Sequence, residues 1–391
     1  MRHIGTQALG VRLPIISQGD DLADIVADSL LTILRAHQLT LRPTDVVGIT
    51  EALVAKAQGN FASLDQVAED VRQKFPQGEV GVVFPILSRN RFLNILKGIS
   101  RGAGKVHLLL QCPCDEMGNP IMNPEDMDLL WDSGETFFTA DAFRKMTGSY
   151  RHPFTDIDYI SLYQEAGDNI EVYLATDPRR VLDLTKNILV GEIHTRMFTK
   201  KRLLKAGAET VFTLSDILSS PVKGSGYNPQ YGILGSNLAG NELLKLFPRD
   251  CDAFVRHVRE RIAAKCQAAP EVLIYGDGAF KDPLAGIWEL ADPVVSPAFT
   301  EGLMGRPREI KIKLVADTLF QHMSSTEKTT AVTEMIRAKN QDKSQACSSE
   351  GTTPRNYVDL LGSLCDLISG SGDKGTPVVL IQGYFDDYSA Q

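Results

Sequence analysis

Apolar residues near the start of the chain repeat with the spacing of helices and short buried strands. In "GDDLADIVADSLLTILRAH" one helical face is apolar, and Asp20 or Asp21 precedes it as a cap. That face consists of Leu22, Ile25, Val26, Leu30, Ile33 and Leu34. The stretch "TDVVGIT" predicts a buried strand, and "EALVAKAQG" predicts a helix or turn ending at Gly59. The segment "SLDQVAEDVRQKF" predicts a second amphipathic helix capped by Ser63.

Further strands and helices follow without a regular alternation. Strands are predicted in "GEVGVVFPIL", "GKVHLLLQC", "NIEVYLA" and "EVLIYGDG". Helices are predicted in "RFLNILKGI" and "DCDAFVRHVRERIAAKCQ". Because a strict β-α-β repeat is missing, the pattern predicts an α+β fold rather than a doubly wound sheet.

Composition narrows the class of protein. A chain of 391 residues is long enough for two or three domains, and 43% apolar residues are enough to form a buried core. The net charge of −8 argues against binding to nucleic acid or to an anionic membrane. Only Cys112 and Cys114 of the six cysteines are close in sequence, and their spacing is not that of a zinc site. We therefore expect reduced thiols, no signal peptide, no membrane span and a cytoplasmic location.

The sequence contains no Walker A loop and no GxGxxG motif after a strand, so any nucleotide is held in another way. The clearest local candidate is "EVLIYGDGAFKDP", where Asp277 follows an apolar strand between two glycines. A strand-end aspartate is suited to holding Mg²⁺ against phosphates, because this cation prefers oxygen ligands. An ordinary Asp-Gly turn is the alternative.

Four other features are ambiguous when read alone. Asp359 and Asp366 are two helical turns apart, so they share a helix face that is either a metal site or a solvated surface. Lys56 follows a predicted strand and either faces phosphate or is a surface lysine. The segment "HPFTDIDY" at 152–159 is either a His/Asp site or a loop capped by aspartates, and "SGSGDKGT" at 369–376 is either a phosphate loop or a turn.

Taken together, five segments in order resemble the coenzyme F-420-0:L-glutamate (γ-glutamyl) ligases. These segments are "LPIISQGDDLADIV", "DVVGITEALVAKAQGN", "GILGSNLAGNELLKLFP", "VLIYGDGAFK" and "TPRNYVDLLGSLCDLISGSGDKGTPVVLIQGY". The resemblance covers about residues 11–70 and 228–391. It implies a two-domain ligase-like fold without a P-loop, with a discontinuous core at 1–74 and 226–391. Residues 75–225 would be an inserted or replaced domain that forms a lid or selects the acceptor.

The resemblance also implies an activity. Such a ligase would use GTP or ATP with Mg²⁺ or Mn²⁺ to join L-glutamate to a glutamyl-tailed cofactor through an acyl phosphate, and it would be a homodimer. The nucleotide would be bound by Leu13, Pro14, Ile15, Ile16, Lys56, Ser236, Asn237, Ser363 and Gly370. The metal would be held by Asp277, Asp359 and Asp366, and the catalytic residues would be Lys56 and Asp277.

The chain departs from the family pattern at several positions. Leu234 stands where the family has a metal-binding aspartate, and Gly278 replaces a threonine after the strand-end aspartate. In the lysine segment, serine, glutamate and arginine are replaced by Ala55, Gln58 and Asn60. The acceptor is therefore open between the deazaflavin coenzyme and a folate, the latter implying folylpolyglutamate synthesis on tetrahydrofolate. A catalytically inactive nucleotide- or pterin-binding protein is the alternative from another class.

Overall fold

The structure, a computed structural model, describes residues 5–116, 118–148, 150–153, 155–276, 280–281, 288–289, 296–341, 356–369 and 373–390. Its strands are β1 Gln7–Val11, β2 Val46–Thr50, β3 Phe61–Ser63, β4 Glu79–Val83, β5 Lys105–Gln111, β6 Phe137–Thr139, β7 Ile170–Ala175, β8 Asn187–Val190, β9 Thr210–Thr213, β10 Asn237–Leu238, β11 Leu243–Lys245, β12 Glu271–Tyr275, β13 Phe280–Lys281, β14 Trp288–Glu289 and β15 Val378–Gln382. Its α-helices are α1 Leu22–Ala36, α2 Glu51–Gln58, α3 Leu64–Lys74, α4 Phe92–Gly102, α5 Pro124–Ser133, α6 Ala140–Thr147, α7 Tyr159–Gln164, α8 Arg196–Lys205, α9 Cys251–Cys266, α10 Ile312–Thr318, α11 Ser325–Gln341 and α12 Tyr357–Ser369. The predicted α+β class is confirmed.

Local signals position the first helices. The Asp21 carboxylate accepts a hydrogen bond from the backbone N–H of Asp24 at 3.1 Å, so α1 is capped as predicted. Ser63 and Gln66 form a capping box at the start of α3. Helix α2 ends at Gly59, whose φ of 63° is left-handed. All three ends depend on residues at most four positions apart, which explains why the sequence predicted them.

A four-stranded mixed sheet with the order β1-β15-β2-β12 forms one part of the protein. Strand β12 is parallel to β2, whereas β15 is antiparallel to both β1 and β2. Helices α1 and α9 cover one face, where Val26 and Val258 pack with Val47. Helix α12 covers the other face, where Cys365 packs with Val46. The two central strands β15 and β2 are thus covered on both faces, consistent with their mainly apolar sequences.

A six-stranded sheet with the order β6-β7-β5-β4-β8-β9 lies between residues 79 and 213. All its neighbouring strands are parallel except the β6–β7 pair. The chain runs outward from β4 to β5 and β7, then returns to the other side of β4, as in doubly wound sheets. The sequence did not indicate this arrangement, because the antiparallel β6 and the three helices α5, α6 and α7 interrupt the path from β5 to β7.

The two regions share apolar contacts. The core of the six-stranded sheet includes Leu64 and Val67 of α3 and Leu244 of β11, which belongs to the three-stranded sheet β10-β11-β3. The division into a core at 1–74 and 226–391 and a domain at 75–225 stays a prediction. Within the part of the chain that the structure describes, no helix is long and apolar enough to cross a membrane.

Candidate active site

The carboxyl ends of two parallel strands, β2 and β12, meet at one edge of the four-stranded sheet, where Thr50 lies beside Tyr275. Strand β2 continues directly into Glu51, the first residue of α2, and β12 continues into Gly276. The Glu51 side chain is buried against this glycine, since a Cβ added to Gly276 would lie 2.1 Å from Glu51 Cγ. Only a residue without a side chain therefore allows the carboxylate to occupy the strand end.

Glu51 forms an ion pair with Lys245, whose Nζ contacts Glu51 Oε1. The two residues are 1% and 7% exposed, so both charges lie in the interior. Burying either charge alone would be costly, and pairing reduces that cost. The position of Glu51 at the start of α2 also favours a negative charge, because the first backbone N–H groups of a helix are partially positive.

The predicted residue Asn237 lies beside this ion pair. In the three-stranded sheet, Asn237 of β10 is directly opposite Lys245 of β11, which is in turn opposite Phe61 of β3. Directly opposed residues project from the same face of a sheet, so these three side chains are neighbours. The neighbouring Ser236 is 1% exposed, and its hydroxyl has no hydrogen-bond partner among the described residues. The structure thus brings the predicted 236–237 segment to the strand ends.

The last turn of α12 reaches the same edge. The Pro377 carbonyl accepts hydrogen bonds from the Thr50 N–H at 3.0 Å and from the Tyr275 hydroxyl at 3.4 Å. Burial raises the pKa of Tyr275, a hydrogen bond with Ser369 opposes that rise, and nearby Asp366 adds to it. Asp366 precedes Ser369 by one helical turn in α12, and its role as a site residue stays a prediction.

Asp359 lies at the other end of α12. The ring of Tyr357 is 5.2 Å from that of Phe385, beyond the end of β15, which is antiparallel to β2. A separation of seven residues corresponds to roughly 10 Å along a helix axis. Two carboxylates so far apart do not share one cation with ligand distances of about 2.0–2.6 Å. The Asp359 carboxylate instead accepts hydrogen bonds from Asn356, and Ser363 in mid-helix donates to the Asp359 carbonyl at 2.8 Å.

The loop after β1 contacts the last turn of α2. The Gly19 N–H donates to the Ala57 carbonyl at 2.9 Å, which places this loop beside the exposed Lys56. Within the loop, Ile16 is buried in the core, whereas Ile15 is 90% exposed. Leu13 is half-buried and Pro14 is exposed. The structure therefore brings Gly19 of this loop to the helix that carries Lys56, and the Ile15 side chain is exposed. That residues 13–16 and Lys56 bind one ligand stays a prediction.

Two of the departures from the family pattern have structural roles. The Gln58 amide donates to the Arg249 carbonyl at 2.7 Å and accepts from the Arg249 N–H at 2.8 Å. The fully buried Asn60 amide donates to the carbonyls of Phe247 and Tyr227 at 2.6 and 3.0 Å, and accepts from the Tyr227 N–H at 3.0 Å. These contacts fasten the end of α2 to the segment that leads into and out of β10 and β11.

The described residues do not assemble a metal site. Leu234 is buried in the apolar core, so it supplies no ligand. Among the described residues, no group of three or more His, Cys, Asp or Glu side chains is placed to hold a metal ion. The predicted residues Asp277 and Gly370, and the departure at Gly278, lie outside the described residues.

The segment 152–159 was interpreted either as a His/Asp site or as a loop capped by aspartates, and the structure shows the contacts of its residues. His152 is buried, with Nδ1 accepting from the Thr155 N–H at 3.2 Å and Nε2 lying 3.8 Å from the Asp115 carboxylate. Burial raises the pKa of Asp115, but hydrogen bonds from His152 and Asn119 outweigh it, and the net shift is downward. Asp158 caps α7 through the Ser161 N–H at 2.9 Å. Both ring nitrogens of His152 are directed at protein groups, so its role here is structural.

Sequence reasoning missed Glu51 and Lys245. A signal existed for each, because Glu51 directly follows the buried strand "VVGIT" and Lys245 interrupts the apolar run "LLKLF". A charged residue in either position is unusual unless it is paired. Their partnership is not visible in sequence, since 194 residues separate them.

An α+β fold with a polar, buried edge at the carboxyl ends of two parallel strands is suited to a small-molecule enzyme. The family model of the F420-0:gamma-glutamyl ligases matches residues 10–383. The chain belongs to this family, and is accordingly a ligase that forms a carbon–nitrogen bond. The match includes the middle of the chain as well as the segments in which the resemblance was found. No individual curated protein matches the chain.

Proposed function

We propose that this ligase uses GTP or ATP, with Mg²⁺ or Mn²⁺, to add L-glutamate to the γ-carboxyl group of a glutamyl-tailed cofactor. The observation that carries the proposal is the convergence of Glu51, Lys245 and Asn237 with the last turn of α12 at the carboxyl ends of β2 and β12. These groups come from four separate segments. Charged and amide groups brought together in the interior are typical of a site for a polar ligand.

The proposed reaction has two steps. A carboxylate oxygen of the acceptor attacks the γ-phosphorus, the bond to the β-phosphate oxygen breaks, and the nucleoside diphosphate leaves. The amine of L-glutamate then attacks the acyl carbon, the carbon–oxygen bond to phosphate breaks, and the amine loses a proton to solvent. Such transfers depend mainly on positioning and on neutralising charge. Lys56 and Lys245 supply fixed positive charge, and the divalent cation arrives with the nucleotide phosphates.

We also propose that the six-stranded sheet recognises the acceptor. Its strand order reverses between β4 and β8, and ligands of open parallel sheets bind where the loops diverge at such a reversal. Gly191 permits close contact of the two loops, since an added Cβ would lie 3.0 Å from Pro85. Ser88 and Glu192 are buried beside this point. Substituting Gly191→Ala is expected to raise the KM for the acceptor and leave that for the nucleotide unchanged. An unchanged acceptor KM in the folded variant would contradict this role.

The direct test of the activity uses purified protein with GTP or ATP, Mg²⁺ or Mn²⁺, L-glutamate and one acceptor at a time. The acceptors are the deazaflavin coenzyme with one glutamate and tetrahydrofolate with one glutamate. Mass spectrometry should show a product heavier by one glutamyl residue with one of them, and chelation of the cation should abolish its formation. Absence of product with both acceptors, in a folded protein that binds the nucleotide, would refute the ligase proposal.

One observation favours a second candidate, a nucleotide- or pterin-binding protein without turnover. Leu234 is part of the apolar core at the position where the resemblance implies a metal ligand. This candidate predicts ligand binding without phosphate release. Phosphate release that requires both L-glutamate and an acceptor would exclude it.

We further propose that the protein acts as a cytoplasmic homodimer. The five described cysteines, at positions 112, 114, 251, 266 and 365, are all free thiols, as expected in a reducing compartment. Met304, Leu319 and Met323 are large exposed apolar residues, which a second copy of the chain would cover. Light scattering during size-exclusion chromatography measures the mass, and a monomer at micromolar concentration would contradict the dimer.

A further inference from the structure

We propose that Lys245 is a catalytic residue whose ammonium group contacts the transferred phosphoryl group, and that Glu51 is the residue that positions it. This inference rests on the proposed function and adds a specific cation to it. Neither residue was predicted from the sequence. The pair is buried, the ammonium group has unused donors, and the pair lies at the edge of the fold to which the site is assigned.

The first observation is the incomplete hydrogen bonding of the buried ammonium group. Lys245 is 7% exposed, and an ammonium group carries three N–H donors. Among the described residues only Glu51 Oε1 accepts from it. A buried charged donor without an acceptor is costly, so the two remaining donors are suited to oxygens supplied by a bound anion.

The second observation is that position 245 would accept an apolar side chain if its role were only structural. The adjacent residues Leu244 and Leu246 are fully buried and apolar. Replacing a buried ion pair by apolar side chains of similar volume is often neutral or stabilising. The stability of the fold therefore does not require a lysine at this core position of β11. A functional role of the positive charge explains why Lys245 is present.

The third observation is the location of the charge. Lys245 projects beside Asn237, and its partner Glu51 lies against Gly276 at the end of β12. The ammonium group is thus at the junction of three segments, α2, residues 236–237 and the end of β12, to which the resemblance assigns nucleotide and metal binding. Leu234 has no group that could bind a cation at this junction. Lys245 provides a positive charge from the protein itself.

Glu51 holds the ammonium group in place rather than contacting the substrate. Its carboxylate lies at the first turn of α2, where the helix favours a negative charge. Without the Glu51 carboxylate, the Lys245 ammonium group would have no hydrogen-bond acceptor among the described residues, and the side chain could adopt other rotamers. Glu51→Gln is therefore expected to lower kcat more than it changes the KM for the nucleotide.

The experiment compares Lys245→Met, Lys245→Arg and Glu51→Gln with a matched control, Lys74→Met. Lys74 also pairs with a buried carboxylate, that of Asp70 at 2.6 Å, but it belongs to α3. Three quantities are measured for each variant: the urea midpoint of unfolding, the affinity for inorganic tripolyphosphate by calorimetry, and kcat with the KM for the nucleotide.

Lys245→Met is expected to lower kcat by about 100-fold, the loss typical of removing one group that stabilises developing charge. It should also weaken tripolyphosphate binding by at least tenfold, whereas Lys74→Met should leave both quantities unchanged. Lys245→Arg, which keeps the charge in a different geometry, should retain tripolyphosphate binding and recover part of kcat.

Two results would overturn the inference. One is a folded Lys245→Met protein that binds tripolyphosphate as the wild type does, which decides the question even if the wild type shows no ligase turnover. The other, should Lys245→Met fail to fold, is an unchanged kcat in both Lys245→Arg and Glu51→Gln. Absence of turnover in the wild type with normal tripolyphosphate binding would refute the ligase proposal and leave the anion contact of Lys245 testable by calorimetry.

Discussion

Asn60→Ala tests whether the end of α2 is fixed by a structural amide or contacts the ligand. The Asn60 side chain is fully buried and makes three hydrogen bonds to the backbone of Tyr227 and Phe247. Alanine would leave two carbonyls and one N–H without these partners in the interior. At about 1 kcal/mol for each hydrogen bond, the free energy of unfolding should fall by about 3 kcal/mol.

Urea unfolding followed by circular dichroism measures this loss. The matched control is Asn340→Ala, because Asn340 is exposed and donates one hydrogen bond to Asp387 at 2.7 Å. The control should change the free energy of unfolding by about 0.5 kcal/mol or less. A folded Asn60→Ala protein with wild-type stability but weakened nucleotide binding would refute the structural role and make Asn60 a ligand contact.

Three further predictions follow from the site and its surroundings. Gly276→Ala places a Cβ 2.1 Å from Glu51 Cγ, so we expect it to displace the Glu51 carboxylate and to lower kcat at least tenfold without unfolding the protein. A wild-type kcat in this variant would contradict the packing argument. Asp366→Asn should lower kcat, whereas Asp359→Asn, at the other end of α12, should not; equal losses would show that both carboxylates act in the site. The downward pKa shift of Asp115 means that its carboxylate stabilises the fold fully above the unfolded pKa of about 3.9 and that this contribution is lost as the pH falls through the lower folded pKa. The difference in stability between wild type and Asp115→Asn, measured by urea unfolding from pH 6 downward, should therefore be constant at first and shrink below about pH 4.

Much of the secondary structure could be predicted from the sequence, since the signals are local. Ser63 and Gln66 form their capping box within one turn, and Gly59 ends α2 through its own left-handed backbone. The strands β2, β4, β5, β7 and β12 are mainly apolar, which predicts buried strands without reference to neighbours. What these runs do not encode is the order in which the strands pair.

The candidate site could be predicted only in part. Family resemblance led to Asn237, which the structure places beside the Glu51–Lys245 pair. It also led to Lys56 and the 13–16 segment, whose roles stay predictions. Helical spacing placed Asp359 and Asp366 on one face, but the distance along the axis separates them. Two residues lie on one helix face when their spacing matches the helical period. To bind one ligand together, they must also be close to each other along the helix axis.

The sequence by itself determined the α+β class, the helix ends, the apolar strands and the membership suggested by five ordered segments. Only the tertiary structure decided that Glu51 pairs with Lys245, that the last turn of α12 lies near the end of β12, and that the middle of the chain forms a largely parallel sheet. The physical reason is the range of the interactions. Caps and apolar periods act within a few residues, whereas a buried ion pair across 194 residues exists only once strand register has placed both charges at one edge.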